Sequence, residues 1–219
     1  MERNFDHSLR DLKENMIQMA NHVEKSIEIA TTALQEKNLE KLKEVYSVEG
    51  KINLLHKKLD EQCLNLLALQ QPMAKDLRLI IAMIKANTDL ERMGDQAVNI
   101  AHSGERYLSG TSIRPLVDLP HMAGEVRRMV RGAIDSFVQQ NEVLAEEVLK
   151  LDDSIDSLKR KIFDDVIAHM KQHPEHIDQG LSLILIARNL ERLGDHATNI
   201  AEDVIFVTSG KDIRHASLN

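Results

Sequence analysis

Two stretches of the chain carry the same unusual pattern, LERMGDQAVNIA at 90–101 and LERLGDHATNIA at 190–201. Each sets a glutamate and an aspartate four residues apart, Glu91 with Asp95 and Glu191 with Asp195, a spacing that puts both carboxylates on one face of a helix. Apolar residues recur around them at helical intervals, and Ile184, Ala187 and Thr198 share the stripe of Glu191 and Asp195. Two upstream segments repeat the spacing. Asp152 and Asp156 sit beside Val148, Leu151 and Ile155, and Glu49 and Asn53 accompany the stripe Leu42, Val45, Ile52, His56, Leu59, Cys63 and Leu66, with Glu49 expected on the seam itself. Carboxylates that face one another repel, and burying each as an ion costs on the order of several kcal/mol without compensation. A metal cation is the simplest compensation, since all-oxygen donors suit hard or borderline ions such as Mg²⁺, Mn²⁺, Ca²⁺ or iron. Pairing of the acids with Arg92, Arg192 or lysines, or a wet exposed groove, is the alternative, and spacing alone leaves both open.

The elements that must position these acids follow from an internal repeat. Shifting the chain by 100 residues superposes the two motifs and also SGTSIR (109–114) on SGKDIR (209–214). Upstream the shift becomes 103, which brings ALQEKN, ending at Asn38, onto SFVQQN, ending at Asn141, and Glu49 onto Asp152. Two copies of one unit result, with the division expected at 1–112 and 113–219. Asn38 and Asn141 interrupt the apolar pattern as cap residues. Pro72 and Pro174 separate the second helix of each half from the third, and Gly110 and Gly210 are expected to close the third helices. The spacing therefore predicts six helices, roughly 4–37, 40–70, 73–108, 117–140, 143–172 and 175–208, several of them on the order of 40 to 50 Å long.

Short turns between such helices make antiparallel neighbours, so each half reads as an up-down-up three-helix bundle and the fold class is all-α. The first helix has a seam of Phe5, Leu9, Leu12, Met16, Met19, Val23, Ile27, Ala30 and Leu34, and the fourth one of Met122, Val126, Met129, Ala133 and Phe137. Repeated methionines here are core filler. Folding each second helix back at its proline brings the acids level. Glu49 and Asp95 are equally far from Pro72, as are Asn53 and Glu91, and Asp152 with Asp195 and Asp156 with Glu191 mirror about the His173-Pro174 turn. Gly94, Gly194, Ala97 and Ala197 are small enough to let the helices approach beside these sets. His56, His102, His169 and His196 read as surface or core residues, because none recurs at the equivalent place in both halves.

Composition limits the function. The 219 residues carry a net charge of −7 and only 3 % aromatics, which argues against nucleic-acid binding by charge or by base stacking. A single cysteine, Cys63, excludes an intramolecular disulfide and fits a reducing compartment. The first residues lack a signal-peptide pattern, and no apolar run reaches the ~18 to 20 residues of a membrane span, so a cytoplasmic protein is expected. Phosphate-loop and nucleophile-elbow motifs are missing from the sequence, which disfavours direct nucleotide hydrolysis.

Across essentially its whole length the chain resembles the PhoU family, the accessory proteins of a high-affinity phosphate uptake system. VEGKINLLHKKLDEQC before QQPMAKDLR, then LERMGDQAVNIA and finally LERLGDHATNIAEDVIF carry the likeness. The resemblance implies two three-helix bundles whose acidic motifs hold metal clusters, here through Glu49, Glu91 and Asp95 in the first half and Asp152, Asp156, Glu191 and Asp195 in the second. Asn53 stands where the second half has Asp156, a neutral donor that would weaken the first site. The cofactor implied is a divalent or trivalent metal ion: iron, manganese, magnesium or zinc. The implied role is that of a regulatory adaptor without chemistry of its own, restraining a phosphate ABC transporter through its ATPase subunit and a phosphate-sensing histidine kinase. Peripheral membrane association through those partners and a homodimer belong to the same expectation. Two other functions compete. A carboxylate-bridged di-metal enzyme of the ferritin-like kind would use Glu-x-x-His pairs, and this sequence contains none; a metal-free helical scaffold would need the acids compensated by other means.

Overall fold

A computed structural model describes residues 4–110 and 118–211. Its helices are α1 (Asn4–Glu36), α2 (Leu39–Gln70) and α3 (Ala74–Leu108) in the first half, and α4 (Asp118–Gln139), α5 (Glu142–Gln172) and α6 (Ile177–Ser209) in the second. The described residues contain no strand. The expected division at 112/113 and the distal ends of the SGTSIR and SGKDIR match lie outside the described residues.

The turn residues account for the helix limits. Asn38 Oδ1 accepts from the Lys41 N–H at 3.1 Å, and Asn141 Oδ1 accepts from Val143 and Leu144 at 3.0 and 3.3 Å, satisfying N–H groups that a helix start leaves unpaired. The residue before each cap, Lys37 or Gln140, takes the left-handed conformation at φ 54° or 51°. The Asn38 and Asn141 N–H groups then bond back to Ala33 and Ser136 carbonyls at 2.9 Å, closing the preceding helix. Gly210 caps α6 at φ 74°. Gly110 does not cap α3, contrary to its expected role: that helix ends at Ser109 in a right-handed conformation, and Gly110 instead lies against Gln179 of α6 with no room for a Cβ. Pro174 opens a short 3-10 turn, Pro174–His176, so α6 begins at Ile177 rather than 175.

The bundles share one core. α2 packs on α1 and α3, and α5 packs on α4 and α6, while α3 meets α6 and α1 meets α4 across the two halves. These cross-pairs run antiparallel. Asp89 meets His196 and Asn199 at 2.9 and 3.3 Å, and Lys85 meets Asp203 at 3.3 Å. Arg131 pairs with Glu24 at 2.8 Å, and Lys13 donates to the Val138 carbonyl at 2.9 Å. The α3–α6 register centres near Met93 and Leu193, both fully buried, so an approximate two-fold axis relates the repeats. Four helices thus make the centre, with α2 and α5 on opposite flanks. Met16, Met19, Met83, Met93, Met122 and Met129 are all buried, as core filler should be.

Two equivalent glycines differ in their surroundings. A Cβ on Gly94 would stand 3.1 Å from Cδ1 of Ile52, whereas one on Gly194 would meet nothing closer than 3.7 Å. Alanine in place of a mid-helix glycine gains about 1 kcal/mol of helix propensity. Gly194→Ala is therefore expected to raise the melting temperature by ~2–4 °C, while Ile52 must shift to admit Gly94→Ala and cancels the gain. Parallel thermal melts of the two variants check this, and equal stabilisation of both would refute the packing argument.

Candidate metal centres on the two helical hairpins

The two hairpins fold in the register that levels the acids. Ile52 of α2 lies against Gly94 of α3, and Ile155 of α5 lies against Gly194 of α6. These contacts set Glu49 and Asn53 beside Glu91 and Asp95, and Asp152 and Asp156 beside Glu191 and Asp195. Six of the eight are half-buried, and Asp95 and Asp195 are exposed. One expectation fails in detail. The buried seam of α2 runs through Val45, Val48, Ile52, Leu55 and Leu59, so Glu49 and His56 stand at its margin. Val48 and Glu49 are both compatible with the spacing from Val45 and Ile52, and the apolar side chain takes the core.

Charge crowding marks the second half. Burial and then the neighbouring carboxylates of Asp195, Asp156, Asp153 and Glu191 push the Asp152 carboxyl up to about 6. Burial and then Glu191 also raise Asp195, although His196 and Lys159 oppose this. Lys159 is the partner that the motif spacing did not single out. Its ammonium donates to Glu191 Oε1 at 2.5 Å and stands 3.7 Å from Asp156 Oδ1. Being three residues beyond Asp156, it shares that face of α5, which is the signal that could have found it. In the first half His56 occupies the equivalent position, and it faces Asp60 at 3.5 Å rather than the acids. Asn53 there donates a hydrogen bond to the Glu49 carboxylate.

The donors are all oxygen, crowded and partly desolvated, and the repulsion on Asp152 and Asp195 is what a hard cation relieves. They therefore fit a metal, with Lys159 displaced in the second half. They do not form a closed cage. Among the described residues, the three His, Cys, Asp or Glu side chains whose donor atoms all lie within 4.8 Å of one another are His173, Glu175 and His176, none of them in the acidic motifs. The second-half acids border an open groove of about 370 Å³ lined by Lys159, Phe163, Ile184, Ala187, Arg188, Glu191, Arg192 and Asp195. A second cleft of about 310 Å³, bordered by Lys85, Asp89, Arg92 and Asp203, opens between α3 and α6. Its polar contacts hold the halves together, and His196, 14 % exposed against Asp89, proves a core histidine.

The raised Asp152 carboxyl has a sign that can be checked in chelator. Its folded value of about 6 exceeds the ordinary 3.8, so the native state holds this proton more tightly than the unfolded chain. The associated stability is full below the unfolded value and is lost as pH rises through about 6. Asp152→Asn should stabilise the metal-free protein at pH 8 by about 1 kcal/mol, discounted for a half-exposed group, with the benefit vanishing near pH 4. Melting temperatures of both proteins across that range decide it; a benefit independent of pH would refute the crowding.

A duplicated all-helical bundle with an acid set on each outer hairpin defines the class of protein. A family model described as the PhoU domain matches residues 16–103 and again 119–204, one match per structural repeat, and the chain belongs to this family. It is 38 % identical over 215 residues to a Pseudomonas putida protein named phosphate-specific transport system accessory protein PhoU homolog, covering 98 % of this chain and 84 % of that one. A relative of the same name from Aquifex aeolicus is 36 % identical, with 94 % of both chains covered. The crystal structure of PhoU from Pseudomonas aeruginosa superposes with a TM-score of 0.90 at 34 % identity, covering 95 % of this chain and all of that one. The phosphate transport system regulatory protein PhoU from Streptococcus pneumoniae gives 0.89 at 26 % identity, over 95 % of this chain and 99 % of that one.

Proposed function

We propose that the chain is a cytoplasmic regulatory adaptor of phosphate uptake. It restrains a phosphate ABC transporter, through the ATPase subunit, and a phosphate-sensing histidine kinase when phosphate is plentiful, reaching the membrane only through those partners. The observation that carries this reading is the near full-length likeness to accessory proteins of phosphate-specific transport. The surface supports it. Leu77 and Ile81 on α3, and Ile177, Leu181 and Leu185 on α6, are exposed apolar residues at one-turn spacing near the start of each third helix, and such faces are where partner proteins dock. Among the described residues no helix is long and apolar enough to cross a membrane.

The acids serve this role as metal sites: Glu49, Asn53, Glu91 and Asp95 in one, Asp152, Asp156, Glu191 and Asp195 in the other. A bound hard cation would neutralise each set and tie the outer helix of its hairpin to the inner one. Contact, not turnover, is the mode of action. A second reading, in which the second half stays metal-free, is favoured by one observation, the Lys159 ammonium hydrogen-bonded to Glu191.

Graded expression in cells lacking the chain tests the adaptor. Loss should derepress phosphate-starvation genes in phosphate-replete medium, and repression should return only as the protein approaches the abundance of its partners. Full repression at a small substoichiometric level, abolished by changing a single acid without loss of partner binding, would indicate catalysis and sink the adaptor reading.

A further inference from the structure

The geometry points to a separate metal site on the α5–α6 turn, formed by His169, His173, Glu175 and His176 and taking a borderline divalent cation such as Zn²⁺. His169 and His173 stand four residues apart at the end of α5, on one face. The His173 N–H closes the helix on the His169 carbonyl at 2.9 Å. Pro174 then starts the 3-10 turn, and the His176 N–H bonds to the His173 carbonyl at 2.9 Å, which brings the third imidazole back over the other two. Ring centroids lie 4.7, 5.2 and 5.5 Å apart, with the His169 and His176 rings stacked parallel.

The donor atoms converge. His169 Nε2 is 2.9 Å from His176 Nδ1, and His173 Nδ1 is 3.3 Å from Glu175 Oε1. Donors of His173, Glu175 and His176 all fall within 4.8 Å of one another. Tetrahedral ligands at Zn–N distances of 2.0–2.1 Å stand ~3.3 Å apart, so small rotations of partly exposed side chains complete the shell. Backbone bonds and a proline fix the turn, which lowers the entropy that metal binding must overcome.

Ligand chemistry separates this site from the acidic sets. Three imidazoles and one carboxylate select Zn²⁺, Cu²⁺ or Ni²⁺, whereas all-carboxylate sets suit Mg²⁺, Mn²⁺ or iron. The two places are also far apart, Asp156 and Glu191 lying more than ten residues along their helices from the turn, about 20 Å. The corresponding turn of the first half reads Gln70, Gln71, Pro72, Met73, Ala74, Lys75 and contains no histidine. The cluster is thus an addition to one repeat and not a by-product of the shared fold. Its consequence is a clamp across the α5–α6 hairpin, joining the end of one helix to the start of the next.

Competition titration of the full chain with Zn²⁺ against a chromophoric chelator, and with Co²⁺ by visible absorption, tests the site. One Zn²⁺ per chain beyond any held by the acidic sets is expected at micromolar Kd or tighter, with intense tetrahedral Co²⁺ bands. His173→Ala/His176→Ala should weaken this by on the order of 100-fold and His169→Ala by about 10-fold, leaving Mn²⁺ binding unchanged. Zinc affinity unaltered in the double variant, or only millimolar in the unmodified chain, would overturn the inference. Because the fold does not rest on these side chains, circular dichroism should be unchanged; His176→Gln provides the same comparison should the double variant not fold.

Discussion

Alanine at both Asp152 and Asp156 should, on the proposed metal assignment, remove about half of the manganese or iron taken up by the chain, leaving the first hairpin loaded. The two residues supply half of the second donor set, and a multidentate site that loses half its ligands loses most of its affinity. Elemental analysis after equilibration with each metal reads the result directly, and unchanged stoichiometry would remove these acids from the metal assignment, leaving Lys159 as the cation that compensates them. The same experiment ranks the halves. Asn53 leaves the first set with three carboxylates where the second has four, so stepwise chelation should empty the first half first, and Asn53→Asp should narrow the gap. Lys159 tempers this difference. Its ammonium, paired with Glu191, must be displaced before a metal can occupy the second set, and Lys159→Met should therefore widen the gap. Equal retention in all these variants would place the control of affinity outside the motifs.

The hairpins were legible in the sequence because each is specified locally. Asparagine caps, prolines at the turns and unbroken apolar stripes fix where a helix begins, ends and faces, and two hairpins of different length report the same levelling of the acids independently. The α3–α6 contact was not legible in that way. Asp89, His196, Asn199 and Asp203 alternate with apolar residues as solvated positions would, and only the antiparallel approach of the other repeat buries Asp89 and Asp203 and gives Asp89 its partners His196 and Asn199. Nothing within one helix names the helix that will cover it.

The acid sets were legible as residues but not as an electrostatic state. Spacing could say that Asp152, Asp156, Glu191 and Asp195 meet. Whether a metal or a side chain compensates them depends on which cation reaches the face, and Lys159 does so three residues beyond Asp156. The histidine cluster escaped for a different reason. Looking for histidines that recur in both halves discards a site that only one half possesses, and the 3-10 turn that gathers His173 and His176 is a departure from the helix start expected at 175.

The second large effect should come from the shared core, through Phe137→Ala. Phe137 is 1 % exposed and heads the large, fully buried side chains. It belongs to the buried stripe of α4 with Met122, Val126, Met129 and Ala133, so the cavity would open in the core of the second repeat. Removing a buried phenyl ring costs about 3–5 kcal/mol, which at ~2–4 °C per kcal/mol lowers the melting temperature by roughly 6–20 °C. How the loss is distributed is the sharper test. The only tyrosines, Tyr46 and Tyr107, are both in the first half, and the chain has no tryptophan, so tyrosine fluorescence reports on the repeat that does not contain Phe137. Far-ultraviolet circular dichroism reports on both. If α1–α4 and α3–α6 packing makes the repeats one cooperative unit, the two signals should shift together to lower urea concentration in the variant. A tyrosine transition that stays at the wild-type midpoint while the dichroism splits into two steps would show that the repeats fold independently, and the single-core account of the interface would fail.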